Sequence, residues 1–426
     1  MESKTGNPGE ILPLEDEILA NLDYPRQLEQ LYQINKKAFK KAFNRLYPDI
    51  REKPMVPYWH ERLNFENGDL SWGNSKEWTF ILVAAFLAGL VAKIPDFSWL
   101  DQDFFYPRNL GFIVFPFLSA YFVWKQKLAP KTFLPLLAVI LGSAGYINLL
   151  PDNPESDTLI LACIHLPLLL WAVLGISFVG GDRNNPYRRL DFLRYNGDLL
   201  VMTTIIGIAG ALLTGVTIGL FELIDLKIEE LYFHYFGIWG LAAAPILGNY
   251  LIQINPQLVK NVSPVIAQVF TPLVLAMLTI YLVAVIYTGK DPFNDREFLL
   301  IFNALLIGVM AIILFSIAES SKNGGNGQRM MLFALSGVTI LINGIALSAI
   351  LFRISEWGIT PNRLAVLGGN LLMLINLLLV SYRLLKTIRN KTEAETVEKS
   401  IASYLPVYVL WALVVTFIFP VLFGFK

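Results

Sequence analysis

Residues 158–179 read TLILACIHLPLLLWAVLGISFV, Thr158 to Val179, without one Asp, Glu, Lys or Arg. At 1.5 Å of rise per residue such a helix reaches about 33 Å, enough to cross a hydrocarbon layer of about 30 Å. Working outward in both directions, apolar runs of the same kind recur from Trp78 to Phe425, at 78–92, 110–124, 132–150, 158–179, 199–221, 232–252, 264–288, 298–318, 330–352, 364–382 and 402–423. The expected architecture is all-α: a polytopic transmembrane helix bundle of about 11 spans over residues 77–426. Residues 1–76 are polar and are expected to form a cytoplasmic N-terminal segment, with no cleavable signal peptide ahead of the first run.

Composition agrees. Hydrophobic residues make up 55% of the chain and charged residues 16%, well under the roughly 25% charge usual in soluble domains, which excludes a large soluble enzyme. The 34 basic residues balance the 34 acidic ones, which argues against a nucleic-acid partner. The single Cys163 excludes an intrachain disulfide. With the N-terminus inside, inner loops would hold 15 Lys and Arg, among them Lys125, Arg188, Arg189, Arg194 and Arg383, against 8 on the other side, among them Lys93, Arg108, Arg353 and Arg363. Lys and Arg are retained on the cytoplasmic side, so the N-terminus is placed inside and the C-terminus outside.

Ahead of the spans, Leu28, Leu31, Tyr32, Phe39, Ala42, Phe43 and Leu46 recur at helical spacing, so the sequence predicts one amphipathic helix over residues 25–46. Its Lys36, Lys37, Lys40, Lys41 and Arg45 suit anionic headgroups or the inner loops. Trp59, Trp72 and Trp78 read as interfacial anchors. A repeat is also suggested: Gly215-Val216-Thr217-Ile218 recurs as Gly337-Val338-Thr339-Ile340, and Asn249 and Asn370 each follow a Gly-Ile pair by the same interval. Gly215 and Gly219 form a small-residue face for close helix packing, while Asn303, Asn343, Asn370 and Asn376 suit interhelical hydrogen bonds.

Polar groups at or inside the hydrocarbon edge are costly, and this is where chemistry is sought. His165 lies inside the fourth span with Pro167 after it, a proline that removes the donor for the Cys163 carbonyl. Arg108, Glu222, Asp225, His234, Arg353, Glu356 and Arg363 fall near the same outer level and together are expected to line a substrate or proton pathway. Pro116, Pro167, Pro245 and Pro272 would interrupt four spans, as in broken-helix transporters. Asp101 and Asp103 raise an alternative, since two carboxylates one residue apart can hold a divalent cation, as first-loop acids do in membrane transferases using lipid-linked sugars. No resident cofactor or metal site is indicated, and P-loop, His-Glu-x-x-His and Gly-x-Ser-x-Gly signatures are absent from the sequence.

Three segments carry a resemblance: Phe104-Phe105-Tyr106-Pro107-Arg108-Asn109-Leu110-Gly111-Phe112, His165-Leu166-Pro167-Leu168-Leu169-Leu170-Trp171, and Arg353-Ile354-Ser355-Glu356-Trp357-Gly358-Ile359-Thr360-Pro361-Asn362-Arg363. The membrane part, roughly 78–423, resembles a bacterial multi-span family known as domain of unknown function number four-one-five-three. The resemblance implies a bacterial inner-membrane location and transfers no activity and no site residues. The leading expectation is a transporter or permease with an outward-facing polar site for a small polar solute or lipid headgroup. A membrane-embedded transferase and a non-catalytic assembly or sensing protein are the alternatives, with no particular protein partner indicated.

Overall fold

The computed structural model describes residues 12–65, 74–98, 100–182, 185–222, 227–260, 262–288, 293, 296–320, 326–389 and 395–426. Every regular element among them is helical. The chain divides into two units, Met1–Ser71 and Trp72–Lys426.

The first unit holds α1 (Leu12–Ala20), α2 (Pro25–Ile34), α3 (Lys36–Ile50) and α4 (Val56–Phe65). The single amphipathic helix expected over 25–46 is corrected to two. Asn35 leaves the helical region at φ −150° and its side chain accepts the Ala38 N–H at 3.1 Å, so it ends α2 and caps α3. Broken there, the two apolar faces turn on each other. Leu28, Tyr32, Phe39, Ala42 and Phe43 pack with Ile18, Val56 and Leu63, so the apolar face is buried within the unit, while Lys41 and Arg45 remain exposed. Trp59, expected as an interfacial anchor, is likewise corrected to a core residue at 4% exposure, with its ring centroid 5.5 Å from that of Phe39 and 5.9 Å from that of Tyr32. Trp78 packs on Tyr250 in the second unit at 4.7 Å, and Trp72 lies outside the described residues.

The second unit runs α5 (Ser75–Ala92), the one-turn α6 (Ile94–Phe97), α7 (Gln102–Lys125), α8 (Pro130–Leu149), α9 (Asp157–Val179) and α10 (Pro186–Glu222). Then come α11 (Glu229–Tyr232), a π-helical turn (Phe233–Gly237), α12 (Ile238–Ile254), α13 (Gln257–Lys260), α14 (Val262–Thr288), α15 (Arg296–Ser320), α16 (Asn326–Trp357) and α17 (Pro361–Ile388). The chain closes with α18 (Glu395–Leu413), a second π-helical turn (Val414–Ile418) and α19 (Phe419–Leu422). Among the described residues, eight helical stretches are long and apolar enough to cross a membrane: Ser75–Ala92, Pro130–Leu149, Asp157–Val179, Pro186–Ile218, Glu229–Ile254, Asn326–Trp357, Pro361–Ile388 and Thr396–Leu422. The other three expected runs fall on α7, α14 and α15. Of these, α7 carries Arg108 within it and Asp103 and Lys125 near its ends, whereas Phe270–Val283 and Phe302–Ala318 are shorter apolar stretches.

Large apolar side chains face outward along these helices, including Leu82, Leu141, Ile164, Leu212, Leu241, Ile280, Leu341 and Leu410, while Asn249, Asn343, Asn370, Ser177 and Thr416 are buried. A water-soluble bundle would reverse that arrangement. The protein is a helical, multi-pass membrane protein. One interior cluster joins α5, α7, α9, α10 and α12 through Ile81, Leu118, Tyr121, Leu174, Tyr195 and Ile246, and another joins α14 to α18 through Leu278, Ile313, Leu335, Ile342, Leu377 and Ile401. Helix α9 also packs on α8 and on the second π-helical turn.

Several sequence expectations change. Helices α7, α9, α12 and α14 run unbroken through Pro116, Pro167, Pro245 and Pro272. Losing one N–H costs less in hydrocarbon than opening a whole turn. Among the described residues, two π-helical turns interrupt the α-helices instead. Helix α10 begins at Pro186, 13 residues before the apolar run from 199, and in that extension Arg194 is held by Asp191 at 3.1 Å, Glu398 at 3.6 Å and the Ala318 carbonyl at 2.8 Å. The two halves of the suggested repeat agree at the buried Asn249 and Asn370 and at Gly215 and Gly337, where a Cβ would meet nothing within 4 Å, but differ at the threonines: Thr339 is buried and Thr217 half-buried. Gly215 therefore makes no close helix approach within the described residues.

Gly368 does make one. A methyl group there would overlap the Trp411 indole that α18 lays against α17. Gly368→Ala is expected to cost about 1–3 kcal/mol through overpacking and to lower the thermal midpoint of the detergent-solubilised protein. Adding Trp411→Leu should recover part of the loss. An unchanged midpoint in Gly368→Ala would show that the two helices do not meet there.

Candidate functional site

Three groups of charged residues gather at the bundle end that is expected to face outward. The first is built by the end of α5. Lys93 caps that helix, its N–H bonding to the Gly89 and Leu90 carbonyls at 3.0 and 3.1 Å, and Pro95 then starts the single turn of α6. That turn brings Asp96 back over Lys93, and the ammonium and carboxylate pair directly. Lys93 is 1% exposed and its ammonium lies 5.5 Å from the Tyr235 ring centroid. The same Asp96 oxygen lies 3.1 Å from His234 Nε2. Both His234 and Tyr235 belong to the π-helical turn, whose wider winding shifts the side chains relative to an α-helix. The Tyr106 hydroxyl of α7 donates to the Ala92 carbonyl at 3.1 Å, so three helices meet at this cluster.

The second group is centred on Arg108, in the second turn of α7 and 3% exposed. Its Nη2 donates to Asp152 Oδ1 at 3.2 Å and to the Pro151 carbonyl at 3.4 Å, both on the loop between α8 and α9. The Phe104 ring, one turn earlier, lies 4.0 Å from the guanidinium carbon. Nε and Nη1 are buried without an acceptor. Beside it, Asn109 and Asn148 exchange two amide hydrogen bonds of 2.9 Å, fixing α7 against α8.

The third group is the connection between α16 and α17. Arg363 Nη1 donates to the Trp357 and Gly358 carbonyls at 2.8 and 2.7 Å, and Gly358 takes φ +76° as the helix ends. Arg353 and Arg363 lie 5.1 and 5.6 Å from the Trp357 ring centroid, and Glu356 is exposed. These contacts finish a helix C-terminus, where cationic side chains satisfy the last carbonyls.

Of the expected site residues, His234, Arg108 and the set Arg353, Glu356 and Arg363 fall in these three separate groups, and the others lie elsewhere. His165 is half-buried, with Nδ1 2.9 Å from the Leu161 carbonyl of its own helix. Glu222 is the exposed last residue of α10, and Asp225 lies outside the described residues. Asp101 caps α7 by accepting the Asp103 N–H at 3.1 Å, and Asp103 is exposed in the first turn. Among the described residues no group of three His, Cys, Asp or Glu side chains is placed to hold a metal ion.

The sequence singles out His234 and Arg108 by residue type and position but not their partners Asp96 and Asp152. The Lys93–Asp96 spacing of one helical turn was a usable signal, since residues three apart share a helix face. Asp152 carried no such signal, standing among several loop acids. A further ionic group at the opposite end was also missed: the Glu77 carboxylate accepts from the Tyr121 hydroxyl at 2.7 Å and from Lys125 Nζ at 3.2 Å.

Comparison with protein-family models, with curated proteins and with solved structures produced no match.

Proposed function

We propose that the protein is a transporter or permease for a small polar solute, with an outward-facing polar site that includes Lys93, Asp96, His234 and Arg108. In this reading it crosses the bacterial inner membrane about 11 times, N-terminus inside and C-terminus outside. The observation that carries the reading is the buried Lys93 ammonium paired with the partly buried Asp96 carboxylate and extended by His234 on a π-helical turn. Withdrawing an ammonium and a carboxylate from water costs several kcal/mol per ion, and an apolar pair would join the same helices more cheaply. An ionic cluster kept at such a cost, beside a helix irregularity of the kind frequent at functional sites, suits a site that exchanges partners. The Lys and Arg bias of the loops supports the orientation. Asp101, engaged as a helix cap, lends the transferase alternative no support.

The test uses vesicles reconstituted with the full chain and preloaded with a mixture of small carboxylic acids and amino acids, whose release is followed by mass spectrometry. Release of at least one solute above protein-free vesicles is expected. His234→Ala, at an exposed position, should fold and slow that release about tenfold, the weight of one charge-assisted hydrogen bond. Release equal to that of empty vesicles for every solute would sink the transport reading.

A further inference from the structure

A guanidinium has five N–H donors. In Arg108 only Nη2 has acceptors, so the donor on Nε and the two on Nη1 are buried and unanswered. Leaving a buried donor without a partner is costly, and native structures keep few. The arrangement around this side chain is nonetheless fixed. Phe104 covers one face of the guanidinium, a favourable cation–π position that leaves the in-plane donors on Nε and Nη1 unsatisfied. The reciprocal Asn109–Asn148 pair holds the helix that carries Arg108 against its neighbour. Asp152, the one carboxylate bonded to Arg108 among the described residues, sits on a connecting loop with its own side chain 65% exposed. A partner so exposed can swing into water at little cost, whereas Arg108 cannot.

We propose that Arg108 binds an oxyanion, a carboxylate or phosphate, which takes the donors on Nε and Nη1 while Asp152 acts as the resident counter-ion that gives way. Rigid planar donors suit both anions, and the fixed positive charge selects against neutral and cationic solutes. Resting on the transport reading, this names the substrate class of the outward-facing site. The anion arrives either as a free solute or as a phospholipid headgroup. A purely architectural Arg108 would need no free donors, and Asp152 would then strengthen the site rather than compete within it.

The experiment titrates inorganic phosphate, succinate and short-chain phosphatidylglycerol into the full-length protein in maltoside detergent, read by calorimetry. Saturable binding to the wild type is expected. Asp152→Asn removes the competing carboxylate and should tighten it about tenfold, while Arg108→Gln should abolish it. Binding of phosphate or succinate identifies a free solute; binding of the phospholipid alone, lost in Arg108→Gln, identifies a headgroup. The proposal is overturned by an absence of saturable binding in both wild type and Asp152→Asn, or by undiminished binding in Arg108→Gln. Should Arg108→Gln fail to fold, Asp152→Asn decides: tightening upholds the site and unchanged affinity removes it. Arg108-dependent binding without solute release would leave the anion site standing and defeat the transport reading. Release without such binding would do the reverse.

Discussion

Asp96→Asn is expected to destabilise the protein by about 3–5 kcal/mol, because it leaves the Lys93 ammonium charged, buried and without its carboxylate. The substitution is nearly isosteric, so packing contributes little and the loss reports the charge. It also weakens the hold on His234, whose Nε2 lies 3.1 Å from the same oxygen. The measurement is the thermal midpoint of the purified protein in detergent, together with its recovery in folded form. Changing both partners, Lys93→Met with Asp96→Leu, should restore most of the stability, since an apolar pair of similar volume avoids the cost of withdrawing two ions from water. It should not restore solute release. That separation of folding from function is the informative outcome: a double variant both stable and fully active would make the ion pair architectural.

Trp59→Ala should have the next largest effect, about 3–5 kcal/mol within the first unit, as for other large aromatic residues removed from a core. Trp59 touches the centre of that unit, with Tyr32, Phe39 and Phe43 around its ring and the Arg62 guanidinium 4.7 Å from its centroid. Arg62 is itself fixed by Glu29 through bonds of 2.5 and 3.0 Å, so loss of the indole also removes the surface on which that pair rests. Limited proteolysis of the full chain is expected to cut within residues 12–65 of the variant and to spare the same region of the wild type. Had Trp59 been an interfacial anchor, its removal would weaken membrane attachment while leaving proteolysis of the unit unchanged.

The two substitutions also mark where sequence reading stopped. The apolar face of residues 25–46 was legible, and its burial was not, because Asn35 was read as part of one helix although its side chain is a common N-cap. An uninterrupted amphipathic helix must find an external apolar surface, whereas two halves joined at a break can cover each other. The outer-level charges were similarly visible as residue types. Arg108 pairs with Asp152 across 44 positions of sequence, and Asp96 meets His234 only because α6 and the π-helical turn converge. Arg353 and Arg363, placed on the expected pathway by their position alone, are engaged at a helix end and on Trp357.

The sequence by itself determined that this protein is helical and built into a membrane. Both follow from local quantities: the apolar length of each run against the thickness of hydrocarbon, and the need of every backbone N–H and C=O in that layer for a partner within its own helix. Tertiary structure alone decided which polar side chains are satisfied. A lysine can lose its water only where a carboxylate from a neighbouring turn replaces it, and Arg108 keeps free donors only because Phe104, Asp152 and the Asn109–Asn148 pair surround it from separate parts of the chain. Hydropathy is additive along the sequence, whereas hydrogen bonding and charge pairing depend on which helices become neighbours.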